Sequence, residues 1–260
     1  MNNQSKKKLV LFDIDGTLFD NDRMCIPEST KKALLELHQV AQIGIATGRA
    51  GFMLYSVEEI LPLVDYLILI NGQYIKASNQ VIYENSIAPE ALAALVCDMN
   101  DIPHGFVGSD DESVSKIDSD VIQSFQGLGL HLPRKDPDFY LKNKVYMAWA
   151  FCKREKAIDL MAKHPEFAFI RWLGVGYDIL PKEASKGLGM KHLADYLKID
   201  LNDVIAFGDG DNDYELIRDA GLGIAMGNGT SKVKAAADFI TTPVNEDGIF
   251  LALKHFGLIK

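Results

Sequence analysis

Leu9-Val-Leu-Phe-Asp-Ile-Asp-Gly-Thr-Leu18 is the stretch on which the fold turns. Four apolar residues, Leu9 to Phe12, stop abruptly at Asp13. An unbroken apolar run this short predicts a strand buried on both faces, as in parallel sheets. Gly16 permits the sharp turn that must follow. Asp13 and Asp15, two positions apart, can be aimed by that turn at one ligand.

The same pattern recurs on either side. Ser29 to Gln39 has helical spacing, with Leu34, Leu35 and His38 as candidates for its inner face. Ile43 to Ala46 is a second apolar run, ending at Thr47-Gly48-Arg49. Ala50 to Ile60 reads as a helix stopped before Pro62, and Tyr66 to Ile70 as a third strand ending at Asn71-Gly72. Strands alternating with helices predict βαβ units and a parallel sheet. The pattern returns at Lys186: a helix over Gly187 to Leu197, a strand over Val204 to Phe207 ending at Gly208-Asp209, and a helix over Tyr214 to Asp219. Strands over Gly223 to Met226 and Phe239-Ile240, then a helix over Asp247 to Phe256, complete it.

Between these halves the texture changes. Gln73 to Tyr83 reads as a hairpin turning near Ser78-Asn79. Pro89 to Met99 and Arg154 to Lys163 read as helices, and Tyr146 to Phe151, Phe167 to Trp172 and Val175 to Leu180 as strands, with a loop at Asp136-Pro-Asp138. The expected architecture is α/β: a Rossmann-like parallel-sheet core over residues 1–81 and 183–260, interrupted by an α+β domain over 82–182 with an exposed, more polar sheet. Most of its aromatic residues, among them Phe106, Tyr140, Trp149, Trp172 and Tyr177, are expected in that domain's own core.

The chain has 260 residues, 48% hydrophobic and 24% charged, ample for a buried core plus an insertion. Its formal net charge is −9, with 27 basic and 36 acidic residues. The basic stripe of a nucleic-acid binder is missing, since the one basic run, Lys6-Lys7-Lys8, reads as a solvated tail. An acidic chain that handles an anion needs local positive charge. Cys25, Cys97 and Cys152 form no CxxC pair, so neither a zinc site nor a disulfide framework is expected. Met1 to Lys8 lacks the apolar stretch of a signal peptide. The most apolar segment, Leu61 to Ile70, contains Pro62 and Asp65 and is too short to span a bilayer. A cytoplasmic monomer without membrane or nucleic-acid partners is the expectation.

In open α/β sheets, ligands bind beyond the carboxyl ends of the strands. Asp13, Asp15, Thr47 and Asp209 all sit there. Clustered carboxylates repel unless a hard cation such as Mg²⁺ sits among them. Attack on a phosphate dianion by a carboxylate meets repulsion of roughly 4 kcal/mol per charge pair at about 4 Å and an effective dielectric near 20. A cation would offset it. Taken singly, each Asp also reads as a turn or cap residue, Thr47-Gly48 as a strand-to-loop end, and Lys186 as a solvated side chain. Asp209 to Asp213 is not an EF-hand, because Tyr214 and Ala220 stand where that loop needs Gly and Glu. Gly221-Leu-Gly223 followed by Gly227 has the wrong spacing for a dinucleotide loop.

Together the motifs are specific. Asp13-Ile-Asp-Gly-Thr-Leu18 resembles motif I of the haloacid dehalogenase-like superfamily, and Thr47-Gly48-Arg49 resembles motif II. Lys186 in Ala184-Ser-Lys-Gly187 resembles motif III, and Gly208-Asp-Gly-Asp-Asn-Asp213 resembles motif IV. The insertion between motifs II and III is similar to the C2-type cap of Cof-type phosphatases. The resemblance implies Asp13 as nucleophile and Asp15 as general acid and base. It implies Mg²⁺ held by Asp13, the backbone carbonyl of Asp15 and Asp209, with Asp213 supporting from the second layer. Phosphate would be bound by Thr47, the Gly48 amide, Lys186 and Asn212, helped by the Ile14 amide. The expected substrate is a small phosphorylated metabolite such as a sugar phosphate. Relatives that lack the second Asp, or carry Thr there, run other chemistries, so Asp15 favours phosphatase or mutase activity. A receiver-like signalling module and a silent binding protein are the readings from other classes.

Overall fold

The computed structural model describes residues 8–78, 80–127, 130–171 and 174–260. Lys6 and Lys7, Asn79 of the expected hairpin turn, and Trp172 lie outside the described residues. In chain order the strands are β1 Leu9–Phe12, β2 Gln42–Ala46, β3 Tyr66–Leu69, β4 Tyr74–Ala77, β5 Gln80–Glu84, β6 His104–Val107, β7 Glu112–Val114, β8 Arg134–Lys135, β9 Met147–Phe151, β10 Phe167–Arg171, β11 Gly176–Pro181, β12 Val204–Gly208, β13 Leu222–Ala225 and β14 Phe239–Ile240. The helices are α1 Glu28–Leu37, α2 Pro89–Asp98, α3 Ser119–Gly127, α4 Arg154–Lys163, α5 Lys186–Leu197, α6 Tyr214–Asp219, α7 Ser231–Ala236 and α8 Gly248–His255. These elements fall into two compact units. The first runs to Arg49 and takes in Met53–Glu84 and Ser185–Lys260; the second takes in Ala50–Phe52 and Asn85–Ala184. None of the described helices is long and apolar enough to cross a membrane.

The first unit is built on a sheet of order β14-β13-β12-β1-β2-β3-β4-β5. From β14 to β3 all pairs are parallel, and the β4–β5 hairpin adds antiparallel strands at one edge. All four residues of β1 are fully buried. Leu9 and Leu11 join a cluster with Met190 and Leu193 of α5 and Leu216 and Ile217 of α6. On the other face the Phe12 ring stacks on Phe207 at 4.9 Å. The chain leaves β1 toward β2 on one side, while β12 pairs on the other, so the sheet reverses direction at β1. That is the place where such sheets bind ligands.

Two expectations are corrected here. The buried stripe of α1 is Thr30, Ala33, Leu34 and Leu37, while Leu35 is exposed. The 3.6-residue period carries 30, 33, 34 and 37 to one side and turns 35 away. The segment after Arg49 is a 3-10 helix over Gly51–Leu63 and runs through Pro62 rather than stopping before it. Pro62 sits in its last turn, where a missing N–H forfeits a single bond, and Val64 N–H still closes on Leu61 O at 3.0 Å.

The second unit has a sheet of order β10-β11-β9-β6-β7-β8, antiparallel except for the β7–β8 pair. It is not the exposed, polar sheet expected from sequence. β6 and β9 are buried throughout, and only β8 and part of β10 are exposed. Helices α2 and α4 cover one face, where Ala148 and Ala150 meet Leu95 and Leu160. On the other face Phe125 of α3 lies 5.2 Å from Trp149 and 5.9 Å from Phe151. Trp149 is buried on this face, while Phe106 and Tyr177 are buried in the cluster under α2 and α4, against which Tyr140 packs.

Glu112, at the start of β7, is the odd charge in this unit. Its Oε2 is buried without a hydrogen-bond partner. Burial, then repulsion from Asp111, pushes its carboxyl up to about 7. The folded state therefore favours the protonated acid, so this group's contribution to stability is present at pH 4 and fades as pH rises toward 7. Glu112→Gln should flatten the decline in Tm between pH 5 and 8 and stabilise the protein at pH 8 by about 2 kcal/mol. An unchanged slope in thermal melts across that range would contradict the assignment.

Candidate active site

Asp13 leaves the end of β1 with its N–H bonded to Phe207 O at 3.0 Å. Carrying the register of Phe12 with Ile45 and Phe207 forward by two residues brings Thr47 and Asp209 level with Ile14. Neighbouring strands thus deliver three of the expected residues to one sheet edge. The loop after β1 closes on itself, with Thr17 N–H on Ile14 O at 3.2 Å and Phe19 N–H on Ile14 O at 2.8 Å. Gly16 has φ +78°, and a methyl there would collide with the Asp209 carboxylate. Only glycine meets both demands.

Lys186 is the first residue of α5, whose N-cap Ser185 accepts from Leu188 N–H at 3.0 Å. Far from solvated, Lys186 is 1% exposed, and its Nζ donates to Asp13 Oδ1 and Asp213 Oδ1, each at 2.6 Å. Burial opposes its charge, but the Asp13 and Asp213 carboxylates outweigh that and hold its pKa above the usual lysine range. Asp213 is fully buried, and its Oδ2 accepts from Asp209 N–H at 3.0 Å and Gly210 N–H at 2.9 Å. Asp209 accepts from Thr17 Oγ1 at 3.1 Å and from Asn228 Nδ2 at 3.3 Å.

One carboxylate oxygen each from Asp13, Asp209 and Asp213 lies within 4.8 Å of the others. Burial, then the Asp213 charge, raises the Asp13 pKa well above the carboxylate range, although Lys186 pulls the other way. The same two causes push Asp209 up to about 7. Three crowded carboxylates share one ammonium, so negative charge is in excess. An oxygen-rich, negatively charged pocket of this kind has the donor chemistry that a hard divalent cation takes. Asp213 is already committed to Lys186 and two backbone N–H groups, which suits a supporting position better than a direct ligand.

Asp15 points elsewhere. Its carboxylate is gripped by Arg49, Nε to Oδ2 at 2.9 Å and Nη2 to Oδ1 at 2.6 Å. Arg49 is anchored in turn by Met53 O at 3.1 Å and Ser56 Oγ at 2.9 Å. Thr47 is buried, and its Oγ1 accepts from Arg49 N–H at 3.1 Å, which leaves its own O–H to donate. Asn212 lies on the 3-10 turn Asp211–Asp213, with Nδ2 donating to Asn71 Oδ1 at 3.3 Å.

Residues 10–253 match the sequence profile of the haloacid dehalogenase-like hydrolases. The chain belongs to that family. It is 37% identical to the putative phosphatase YkrA of Bacillus subtilis over 97% of this chain and 99% of that one. It is 28% identical, over 96% of each, to the B. subtilis 5-amino-6-(5-phospho-D-ribitylamino)uracil phosphatase YcsE. Among solved structures it superposes with a TM-score of 0.88 on the subclass IIB sugar phosphatase BT4131, at 33% identity, covering 97% of this chain and all of that one. These relatives place it with the phosphatases of the haloacid dehalogenase-like family.

Sequence reasoning on this phosphatase passed over four side chains that the geometry brings in. Thr17 and Asn228 hold the Asp209 carboxylate, and Asn228 Nδ2 also reaches Gly16 O at 2.8 Å. Arg49 holds Asp15, and Asn71 holds Asn212. Arg49 and Asn71 each stand within three residues of a strand end, which was the signal available. Neither partner is near in sequence, so their roles were not.

Proposed function

We propose that this chain hydrolyses small phosphomonoesters, sugar phosphates or similar phosphorylated metabolites, through an aspartyl-phosphate intermediate. The observation that carries the reading is the carboxylate trio Asp13, Asp209 and Asp213 beyond the adjacent strands β1 and β12, with Lys186 Nζ donating to Asp13 and Asp213. A free Asp13 oxygen attacks phosphorus while the bond to the alcohol oxygen breaks. The departing oxygen takes the electron pair, and Asp15 supplies its proton. Water then attacks the same phosphorus, Asp15 takes up its proton, and the bond to Asp13 breaks to release inorganic phosphate. Lys186, the Thr47 hydroxyl, the Ile14 and Gly48 amides and Asn212 provide donors for the charged phosphoryl oxygens.

Mg²⁺ is the cofactor in this reading, held by Asp13, the Asp15 backbone carbonyl and Asp209, with Asp213 behind them. When bound, it would supply the positive charge that lets a carboxylate approach a phosphate dianion. Dialysis against EDTA should therefore remove activity, and Mg²⁺ should restore it. Mg²⁺ should also raise the Tm of the metal-free protein, because it relieves repulsion among the three carboxylates. A metal-stripped protein with full turnover and an unchanged Tm on Mg²⁺ addition would end this part of the reading.

The sugar phosphatase and the ribitylaminouracil phosphate phosphatase among the relatives support a small phosphorylated polyol or sugar as substrate. We read the second unit, expected over 82–182, as a cap that selects among such substrates. The acidic charge and three scattered cysteines support a cytoplasmic monomer without a nucleic-acid partner. A panel of sugar phosphates with Mg²⁺, assayed for inorganic phosphate, tests the reading. Isomerised sugar phosphate without phosphate release would point to a mutase instead, since that reaction uses the same two carboxylates.

A further inference from the structure

The turn after β3 is unlike its surroundings. Ile70, Asn71 and Gly72 follow one another with φ of 51°, 49° and 90°. Left-handed backbone is rare for non-glycine residues and rarest for a β-branched one such as Ile70. A strained run persists where the surrounding structure over-determines it, and such runs gather at functional sites. Here the surroundings are the candidate site. Ile70 N–H is bonded to Arg49 O at 3.1 Å, and Asn71 N–H to Thr47 O at 3.0 Å. A methyl on Gly72 would run into Ser185 O and come within 3.1 Å of Gly189 N, at the first turn of the helix that begins with Lys186. The Asn71 side chain is buried. Its Oδ1 accepts from Asn212 Nδ2 at 3.3 Å, and its Nδ2 lies 3.2 Å from where a Cβ on Gly48 would stand.

One short turn thus touches three of the four segments that carry the phosphate donors: Thr47-Gly48 after β2, the first turn of α5 that begins with Lys186, and Asn212 after β12, leaving out only the loop of Ile14. We propose that Asn71 is the positioning residue of the phosphoryl-binding site, fixing the Thr47-Gly48 loop through its backbone and orienting the Asn212 amide through its side chain. With one Asn212 N–H engaged by Asn71 Oδ1, the amide is fixed and its second N–H is directed rather than free to rotate. This inference rests on the phosphatase reading of the same site.

Asn71→Gly separates the side chain from the backbone, because glycine adopts left-handed φ without penalty. Asn71→Ala removes the same side chain but must bear that penalty. The measurements are Tm, the inhibition constant of inorganic phosphate, and kcat/KM for p-nitrophenyl phosphate with Mg²⁺. Both variants should weaken phosphate inhibition by roughly tenfold and lower kcat/KM by roughly ten- to a hundredfold, while only the alanine variant loses Tm. In an Asn212→Ala background, Asn71→Gly should add little, because the two act through one contact. If phosphate affinity instead follows Tm, with the glycine variant like wild type, Asn71 is merely structural and the inference fails. Additive losses with Asn212→Ala would also overturn it. A wild-type protein that neither binds phosphate nor hydrolyses the ester overturns the phosphatase reading itself, and that result is distinct from either.

Discussion

Asp13→Asn is expected to abolish turnover on every phosphomonoester, lowering kcat/KM by roughly 10⁴-fold or more. The amide has nearly the shape of the carboxylate but lacks the anionic oxygen that must attack phosphorus. Its carbonyl can still accept the Lys186 Nζ bond that Asp13 Oδ1 accepts at 2.6 Å, so the network around it has no reason to come apart. The stability readout should move the other way. Burial and the Asp213 charge raise the Asp13 pKa, which means that its ionised form is disfavoured in the metal-free fold. Removing that charge relieves repulsion in the trio while Asp213 still neutralises Lys186. Metal-free Asp13→Asn should therefore melt no lower than wild type, yet gain less Tm from Mg²⁺. Turnover of a few per cent of wild type would sink the nucleophile assignment. A collapsed Tm would show that Asp13 is needed for the fold rather than for the chemistry.

How far the sequence could be read depends on how local each signal is. Leu9 to Phe12 announces a buried strand because every side chain of β1 is enclosed, so a continuous apolar run is its whole signature. Asp13, Asp15 and Asp209 were legible for a related reason, since a charged residue directly after such a run must lie at a sheet edge. Lys186 was not legible alone. Its burial exists only because β1 and the turn after β12 bring carboxylates from 173 and 27 residues away. Arg49 was visible as a residue, but its fork on Asp15 spans 34 residues. The second unit was harder. β7 has three residues and β8 two, too short for period-2 alternation to emerge. Its short, broken apolar runs read as an exposed, polar sheet, and the helix α3 that helps to cover it was not expected, since it buries only Val121, Ser124 and Phe125 and so short a stripe hardly announces a helix.

The role of Asp15 can be isolated by the substrate's leaving group. In Asp15→Asn, kcat/KM for an alkyl phosphate should fall by roughly 10²- to 10⁴-fold, the usual range for a lost general acid. For p-nitrophenyl phosphate the fall should stay within about tenfold, because nitrophenolate departs without a proton. Part of the loss will be common to both. Asp15 accepts two bonds from Arg49, and an Asn there keeps one acceptor but sets an NH₂ against the other guanidinium donor, loosening the grip. The ratio of the two losses is therefore the informative quantity. The choice of kcat/KM also matters, since it reports steps only through the first irreversible one, formation of the aspartyl-phosphate. Breakdown of that intermediate needs Asp15 again, as base, whatever alcohol has left. With the aryl substrate, Asp15→Asn should thus release about one nitrophenolate per site in a rapid burst and then slow. Wild type should show no such burst if breakdown keeps pace with formation. Equal losses of kcat/KM on both substrates, with no burst, would remove Asp15 from the proton transfers and leave it as the anchor of Arg49.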